Sequence, residues 1–383
     1  MTRTSGALAG VRVLDLSAYI AGPYGCALLA DLGAEVLKIE PPAGDNLRKY
    51  PSTLEAESRA FLGVNRSKRG VVLDLKQRED LERLLALVRT ADVLVHNFRP
   101  EVPARLGIAY EQLRAVNPRL VYCAVTGYGE TGPLKDKAGY DQVLQTMTGM
   151  AAMQGPAGGP PEILYGSVVD YYAASLVAGG VSAALYEREK SGEGQYVGVS
   201  LLRSALAMQS ARLVWAQGEP REVGRDMRSG GITGIHPTRE GWLYISANTP
   251  HFWQALCAKT GLAELLVERY DSVRKRAQHA QETVPRLHAA LAARTALDWE
   301  ALFGEEVPCA AAREVEDMFD FPQAQAEALV TRFEHPAVGS YRGFAHAWKF
   351  DRTPGPDPFA APTLDQHGDA IRAEADRLRT RKP

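Results

Sequence analysis

The stretch VRVLDLSAYIAGPYGCALLADLGAEVLKIE, residues 11–40, holds two short apolar runs, VRVLDL (11–16) and EVLKIE (35–40). Between them lies a helix-like pattern, YGCALLADLG, that stops at Gly33. Runs of this length rich in Val, Ile and Leu are the pattern of buried strands. A glycine just past the last periodic residue is a common helix stop, because it enters the left-handed region with no Cβ penalty. The stretch is a strand–helix–strand unit, and the pattern recurs. GVVLDL (70–75), the helix QREDLERLLALVRTA and DVLVHNF (92–98) make a second unit. YEQLRAVN and RLVYCAVTGYG supply the helix and strand of a third. Such alternation implies an α/β fold with a Rossmann-like, doubly wound parallel sheet. Ligands gather at the carboxyl ends of those strands, here near Ser17–Ala21, Leu75–Lys76, Asn97–Arg99 and Gly127–Gly129. The first loop, SAYIAGPYG, lacks the GxGxxG spacing of a dinucleotide site, and its Gly22-Pro23 reads as a turn.

From about 139 to 215 the pattern becomes mainly helical. AASLVAGGVSAALY (173–186) is nearly all small or apolar, which predicts a buried helix that another backbone can approach closely. GEGQYVGVSL reads as a turn and strand. EPREVGRDMRSGGITG (219–234) is charged and glycine-rich, the texture of a linker or mobile loop. WLYISA (242–247) opens a second unit with helices at 251–260 and 281–293, and 334–350 returns to strand-like alternation. The expected organisation is a large domain from 1–215 together with about 330–383, and a linker and smaller inserted α+β domain over 216–330. No internal repeat is present.

The chain has 383 residues, 45% hydrophobic and 23% charged, with a net charge of −2. No global field favours nucleic acid or an acidic membrane surface, and neither is an expected partner. No run of about 18 uncharged apolar residues suggests a membrane span. The N-terminus, interrupted by Arg12 and Asp15, reads as a strand rather than a signal peptide. Cys26, Cys123, Cys257 and Cys309 each stand alone, the pattern of free thiols in a reducing, cytoplasmic compartment. The eight histidines are scattered without HxxxH or HExxH spacing, so no metal site is expected. A nucleophile elbow and a P-loop are both missing.

Carboxylates remain. Asp170 stands alone between an apolar turn and the small-residue helix in ILYGSVVDYYAASLVAGG. One reading makes it a helix N-cap, stabilising by ~1 kcal/mol. The other makes it a fixed nucleophile, kept ionised and held by backbone N–H groups at a helix N-terminus. The two are compatible. GYDQVLQTMTGM (139–150) adds Asp141 beside Tyr140, again readable as a helix start. NFRP (97–100) and LDLK (73–76) sit at strand ends.

Taken together, these segments resemble the class III CoA-transferase family, also called CaiB/BaiF. The matching segments run in order: GVRVLDLSAYIAGPYGCALLADLGAEVLKIEPPAGD, NRSKRGVVLDLK, DVLVHNFRP, VYCAVTGYGETGP, GYDQVLQTMTGM and VVDYYAASLVAGGVSAALYEREKSGEGQYVGVSLL. A weaker echo is VPCAAAREVEDMFDFPQAQA (307–326). The resemblance implies an open-ring monomer in an interlocked homodimer. The active site would lie between the large domain of one chain and the small domain of the other. It implies transfer of CoA from an acyl-CoA to a carboxylic acid, with coenzyme A and acyl-CoA as substrates and no prosthetic group or metal. The family's catalytic aspartate falls on Asp170, which would form an aspartyl anhydride and then an aspartyl-CoA thioester.

By the same resemblance, Tyr19, Ile20, Ala21, Leu73, Lys76, Asn97, Phe98, Arg99, Arg105, Tyr140 and Asp141 are CoA-binding residues. Arg99 and Arg105 would meet phosphate. Gly230, Gly231 and Gly234 would belong to a lid loop. Arginines 212, 221, 225 and 228 lie where an acceptor carboxylate could be held. Two departures stand out. Pro41 replaces a phosphate-binding arginine of some members, for which Lys38 or Arg48 is the expected substitute. Ile20 replaces a glutamine of formyl- and oxalate-using members. The rival on the same fold is a 2-methylacyl-CoA racemase, whose "GHD" histidine corresponds to Tyr140. A phenol of pKa near 10 is a poor base at neutral pH. An intramolecular CoA transferase would use the same aspartate.

Overall fold

The computed structural model describes residues 5–155, 159–219 and 231–380. The chain divides into two compact units, Met1–Gln154 with Pro161–Val214 and Phe319–Pro383, and Gly155–Pro160 with Trp215–Met318.

The first unit is built on six parallel strands: β1 (Arg12–Asp15), β2 (Glu35–Glu40), β3 (Lys68–Val72), β4 (Val93–His96), β5 (Val121–Thr126) and β6 (Tyr196–Ser200). Their spatial order is β3-β2-β1-β4-β5-β6. This is the doubly wound order, and it reverses direction between β1 and β4. β2 fills its apolar run, whereas β1, β3, β4 and β5 end one to three residues short of theirs, because those last residues form the ligand-facing loops.

Alternate residues of the strands pack on opposite faces. Val13, Val36, Val93 and Val95 join one core with α1 (Ala21–Asp31) and α7 (Val168–Ser191). Leu14, Leu37 and Leu94 join the other, with α3 (Arg78–Val88), α5 (Tyr110–Val116) and the C-terminal helix Gly368–Thr380. Each such side chain, fully buried, is worth roughly 1.5–3 kcal/mol. Three further helices are α2 (Arg59–Val64), α4 (Glu101–Leu106) and α6 (Asp141–Met147), with α8 (Leu201–Met208) following β6.

Two local expectations change. Gly22-Pro23 does not form a turn but lies in the first turn of α1, where a missing proline N–H costs nothing. The small-residue helix is not buried all round. Val169, Ala173, Val177 and Val181 face the core, whereas Ser175, Gly179, Ala183 and Tyr186 are exposed. Among the described residues this 24-residue helix alone is long and apolar enough to cross a membrane, with a mean hydropathy of 1.4. Its buried face packs instead on α1, and the tightest point is Gly25. A Cβ there would come within 2.8 Å of the Val177 side chain.

The second unit carries a three-stranded antiparallel sheet of β7 (Gly234–Pro237), β8 (Trp242–Ile245) and β9 (Cys309–Ala311). Leu243, Trp253, Leu256, Leu287, Leu291, Trp299 and Phe303 form its core. Cys26, Cys123 and Cys257 are buried and Cys309 half-buried, all as free thiols. Burial pushes the Cys123 and Cys257 thiols up to about 12, so they are not nucleophiles at neutral pH.

Candidate active site

A cleft of about 680 Å³ opens at the carboxyl ends of the strands, within the range of small-molecule sites. Its walls are the segments after β1 (Ser17–Ala21), β2 (Pro41–Leu47), β3 (Leu73–Lys76), β4 (Asn97–Pro100) and β5 (Thr126–Gly127), closed by Tyr140, Asp141, Ser167 and Asp170. It therefore spans the point where the strand order reverses, where such sheets bind ligands.

The first loop has no glycine fingerprint and is shaped by side chains from behind. Asn97, at the end of β4, accepts the Ala18 N–H at 2.9 Å and donates to the Ala18 carbonyl at 2.7 Å. Asp45 accepts the Tyr19 N–H at 3.1 Å. Lys38, from β2, donates to the Ser17 carbonyl at 2.6 Å and to Asp45 at 2.9 Å. Asp15 accepts the Ser17 N–H at 3.0 Å and is paired with Lys68 at 2.8 Å. Asp15, Lys38 and Lys68 are fully buried. The two lysines hold the Asp15 carboxyl down at about 2 against the opposing effect of its own burial. This network holds Tyr19 at φ +66°, a left-handed conformation costing roughly 1–2 kcal/mol for a residue with a Cβ.

Ser167, at the N-cap of α7, is likewise left-handed, with φ +57°, and its side chain makes no capping bond. Asp170 sits in the first turn rather than at the cap. The cap reading is thereby corrected: the acceptor for this turn is Asp141, from α6. Its Oδ2 takes the N–H of Val169 at 2.6 Å and of Asp170 at 3.0 Å. Among the described residues the Asp170 carboxylate has no ion-pair partner, and Asp170 lines the cleft. Burial first, and the Asp141 charge second, push its pKa up to about 7. Burial and the like charge of Asp141 thus work against the ionised form that a helix N-terminus favours.

Of the residues singled out from sequence, Tyr19, Ile20, Ala21, Leu73, Lys76, Asn97, Phe98, Arg99, Tyr140, Asp141 and Asp170 all line this cleft. Arg105 does not; it is exposed on α4 outside the lining. Phe98 stacks on His96 with ring centroids 5.3 Å apart, and Tyr140 meets Tyr19 edge-on at 6.2 Å. Neither expected substitute for an arginine at position 41 is available. Lys38 is buried in the network above, and Arg48 is held by Glu40 and Glu57. Lys135 and Lys137 line the cleft instead, on the loop after β5. Sequence reasoning missed them, although two lysines beyond a strand's carboxyl end were the available signal. It also missed Asp45, Ser167 and Gln145. Gly231 and Gly234 belong to the second unit, and Gly234 opens β7 rather than a loop. Gly230 and arginines 221, 225 and 228 lie outside the described residues. Arg212 is exposed, with Nη2 3.1 Å from the Met153 sulfur. Among the described residues no cluster of three or more His, Cys, Asp or Glu could hold a metal ion.

The chain matches the model of CoA-transferase family III over residues 8–368. It is 31% identical to the succinyl-CoA:glutarate CoA-transferase of Mus musculus, over 94% of this chain and 84% of that one. It is 33% identical to the acetyl-CoA:oxalate CoA-transferase of Acetobacter aceti, over 97% and 96%. The fold superposes on a CaiB/BaiF family protein from Brucella suis with a TM-score of 0.86 at 28% identity, covering 97% of this chain and all of that one. The resemblance read from the ordered segments is borne out: the chain belongs to CoA-transferase family III, and it is an α/β enzyme of the CoA-transferase type.

Proposed function

We propose that the chain moves CoA from an acyl-CoA thioester to a carboxylic acid through covalent intermediates on Asp170. The observation that carries this is an aspartate aimed into the cleft, with no lysine or arginine paired to it among the described residues and a pKa near 7. Burial beside another carboxylate destabilises the charged form. Acylation replaces that charge with a neutral anhydride or thioester, so the setting favours the adduct over the free carboxylate. A more basic carboxylate is also the better nucleophile.

In the first step an Asp170 oxygen attacks the thioester carbonyl. The C–S bond breaks, CoA leaves as thiolate, and an aspartyl–acyl anhydride remains. The thiolate then attacks the Asp170 carbonyl carbon, forming an aspartyl-CoA thioester and releasing the donor acid as its carboxylate. The acceptor carboxylate attacks that thioester and expels thiolate. The thiolate finally attacks the acceptor's acyl carbon and regenerates Asp170. Each step exchanges one acyl bond for another, so holding the partners in place and excluding water is the protein's main task. Lys76, Arg99, Lys135 and Lys137 supply positive charge for the phosphates of CoA.

The donor and acceptor we propose are small carboxylic acids, with a succinate-type dicarboxylate as the donor's acid. Support comes from relatives named for succinyl-CoA with glutarate, citramalate and mesaconate. We further propose the interlocked homodimer of open rings. Tyr165 is fully exposed and Ile163 and Leu164 are nearly half so, an apolar segment that a second copy would cover. The racemase reading is weaker. It needs a second base, and no histidine lines the cleft among the described residues.

The test is incubation with a panel of acyl-CoAs followed by hydroxylamine and peptide mass analysis. A hydroxamate on Asp170 that depends on the acyl-CoA is expected. Exchange of the α-proton of a 2-methylacyl-CoA without any adduct would overturn the transferase mechanism.

A further inference from the structure

We infer that Asp141, braced by Gln145, is a positioning residue for the reaction: its carboxylate closes the first turn of α7 and so aims Asp170 into the cleft. The inference rests on Asp170 being the nucleophile.

The helix start is built in an unusual way. Ser167 occupies the N-cap but makes no capping bond, so the amides of the first turn need an acceptor from elsewhere. Asp141 supplies one oxygen to two of them, those of Val169 and Asp170. The acceptor comes from another helix, 29 residues earlier than Asp170. It is 2% exposed, so its charge is screened little. Its other oxygen accepts from Gln145 Nε2.

Gln145 is fully buried, and its carboxamide does more than satisfy Asp141. Its Oε1 accepts the Leu164 N–H at 2.8 Å, and its Nε2 also donates to the Leu164 carbonyl at 3.0 Å. One side chain thus fixes both the capping carboxylate and the segment that leads into α7. An external cap could be neutral. A carboxylate here also places a formal charge beside Asp170, which is why burial is not the sole cause of the high pKa. Among the described residues the other titratable groups that sense Asp170 are the hydroxyls of Tyr50 and Tyr171, which burial first pushes upward, with neighbouring tyrosines and Asp170 adding to it.

Two variants separate the parts. Asp141→Asn keeps the shape and an oxygen for the two amides but removes the charge. Gln145→Leu keeps the charge but releases the brace. Both are compared with wild type by circular dichroism and then by two readouts. The first is the pH dependence of carbodiimide labelling of Asp170 in the free protein, located by peptide mass, since only the protonated carboxyl reacts. The wild-type midpoint is expected near 7, and Asp141→Asn should lower it by roughly half a unit or more. The second is turnover with an acyl-CoA and acceptor that trap on Asp170. Gln145→Leu should lower kcat by about 10- to 100-fold while KM for acyl-CoA changes by less than about threefold. An unmoved midpoint in Asp141→Asn with unchanged kcat in Gln145→Leu overturns the inference. So does a loss carried entirely by KM. If the wild type shows no acyl-CoA-dependent adduct, the nucleophile reading fails by itself. The labelling midpoint then still reports whether Asp141 governs Asp170.

Discussion

Replacing Asp170 by asparagine should make the protein more stable at alkaline pH, not less. The ordinary carboxyl value is 3.8 and the folded value about 7, a gap of about three units, or ~4 kcal/mol. The sign follows from which state holds the proton. Between those two values the unfolded chain has released it and the folded chain has kept it. Folding stability therefore falls as pH rises through this window, and the full penalty is present above the folded pKa. Asparagine has the same shape and no charge to desolvate. Asp170 retains some solvent contact, so the difference at about pH 8 should be two to four kcal/mol in favour of the variant, shrinking below ~1 kcal/mol at about pH 4.

The assay is thermal unfolding of both proteins across that range, followed by far-UV circular dichroism. With two compact units the transition need not be two-state, so the comparison is between midpoints at matched pH. The two readings of Asp170 predict opposite signs. Were it chiefly a favourable charge at a helix N-terminus, its loss would cost about 0.3–1 kcal/mol at neutral pH. A variant less stable than wild type at about pH 8, or an offset that does not change with pH, would refute the burial reasoning. A more stable, inactive variant is the expected cost of a site that holds a carboxylate away from water.

Two further substitutions probe the frame around the site. Lys38→Met leaves Asp45 and the Ser17 carbonyl without their buried donor, at 2.9 and 2.6 Å in the wild type. The expected loss is about 3–5 kcal/mol, read as a lower unfolding midpoint, together with weaker acyl-CoA binding as the Tyr19 loop relaxes; a variant as stable as wild type would mean the network contributes nothing. Gly25→Ala improves helix propensity by ~1 kcal/mol but sets a Cβ 2.8 Å from Val177. Overpacking of about 1–3 kcal/mol should win, giving a net lower melting temperature, and a higher one would show that α1 and α7 can part without strain.

The frame of the fold was legible because its signals are local. β-branched runs mark β1, β2, β4 and β5, Gly33 ends α1 at φ +102°, and alternation with helices implies a parallel sheet. Asp170 was legible for the opposite reason, as a lone charge where apolar residues surround it. What escaped are interactions between residues far apart in sequence. EVLKIE reads as a strand whose Lys38 is an expected phosphate contact, yet Lys38 is fully buried because Asp45 and Asp15 await it. Lys68 meets a carboxylate 53 residues away, and Asn97 holds a loop 79 residues before it.

Asp141 shows the same limit most sharply. Its position at the start of α6 suggests a local cap, but its oxygens serve α7 and Gln145. A side chain's chemistry can be read from its neighbours in sequence only while its partners are also its neighbours. At the reversal point of a doubly wound sheet they seldom are, since each wall of the cleft comes from a different strand. Without a glycine fingerprint to let backbone alone shape the first loop, this chain uses charged and amide side chains from β2, β4 and the Asp45 turn. The absence of GxGxxG was thus informative beyond excluding a dinucleotide: it required that some other set of residues hold Ser17–Ile20, and buried lysines and carboxylates fill that requirement.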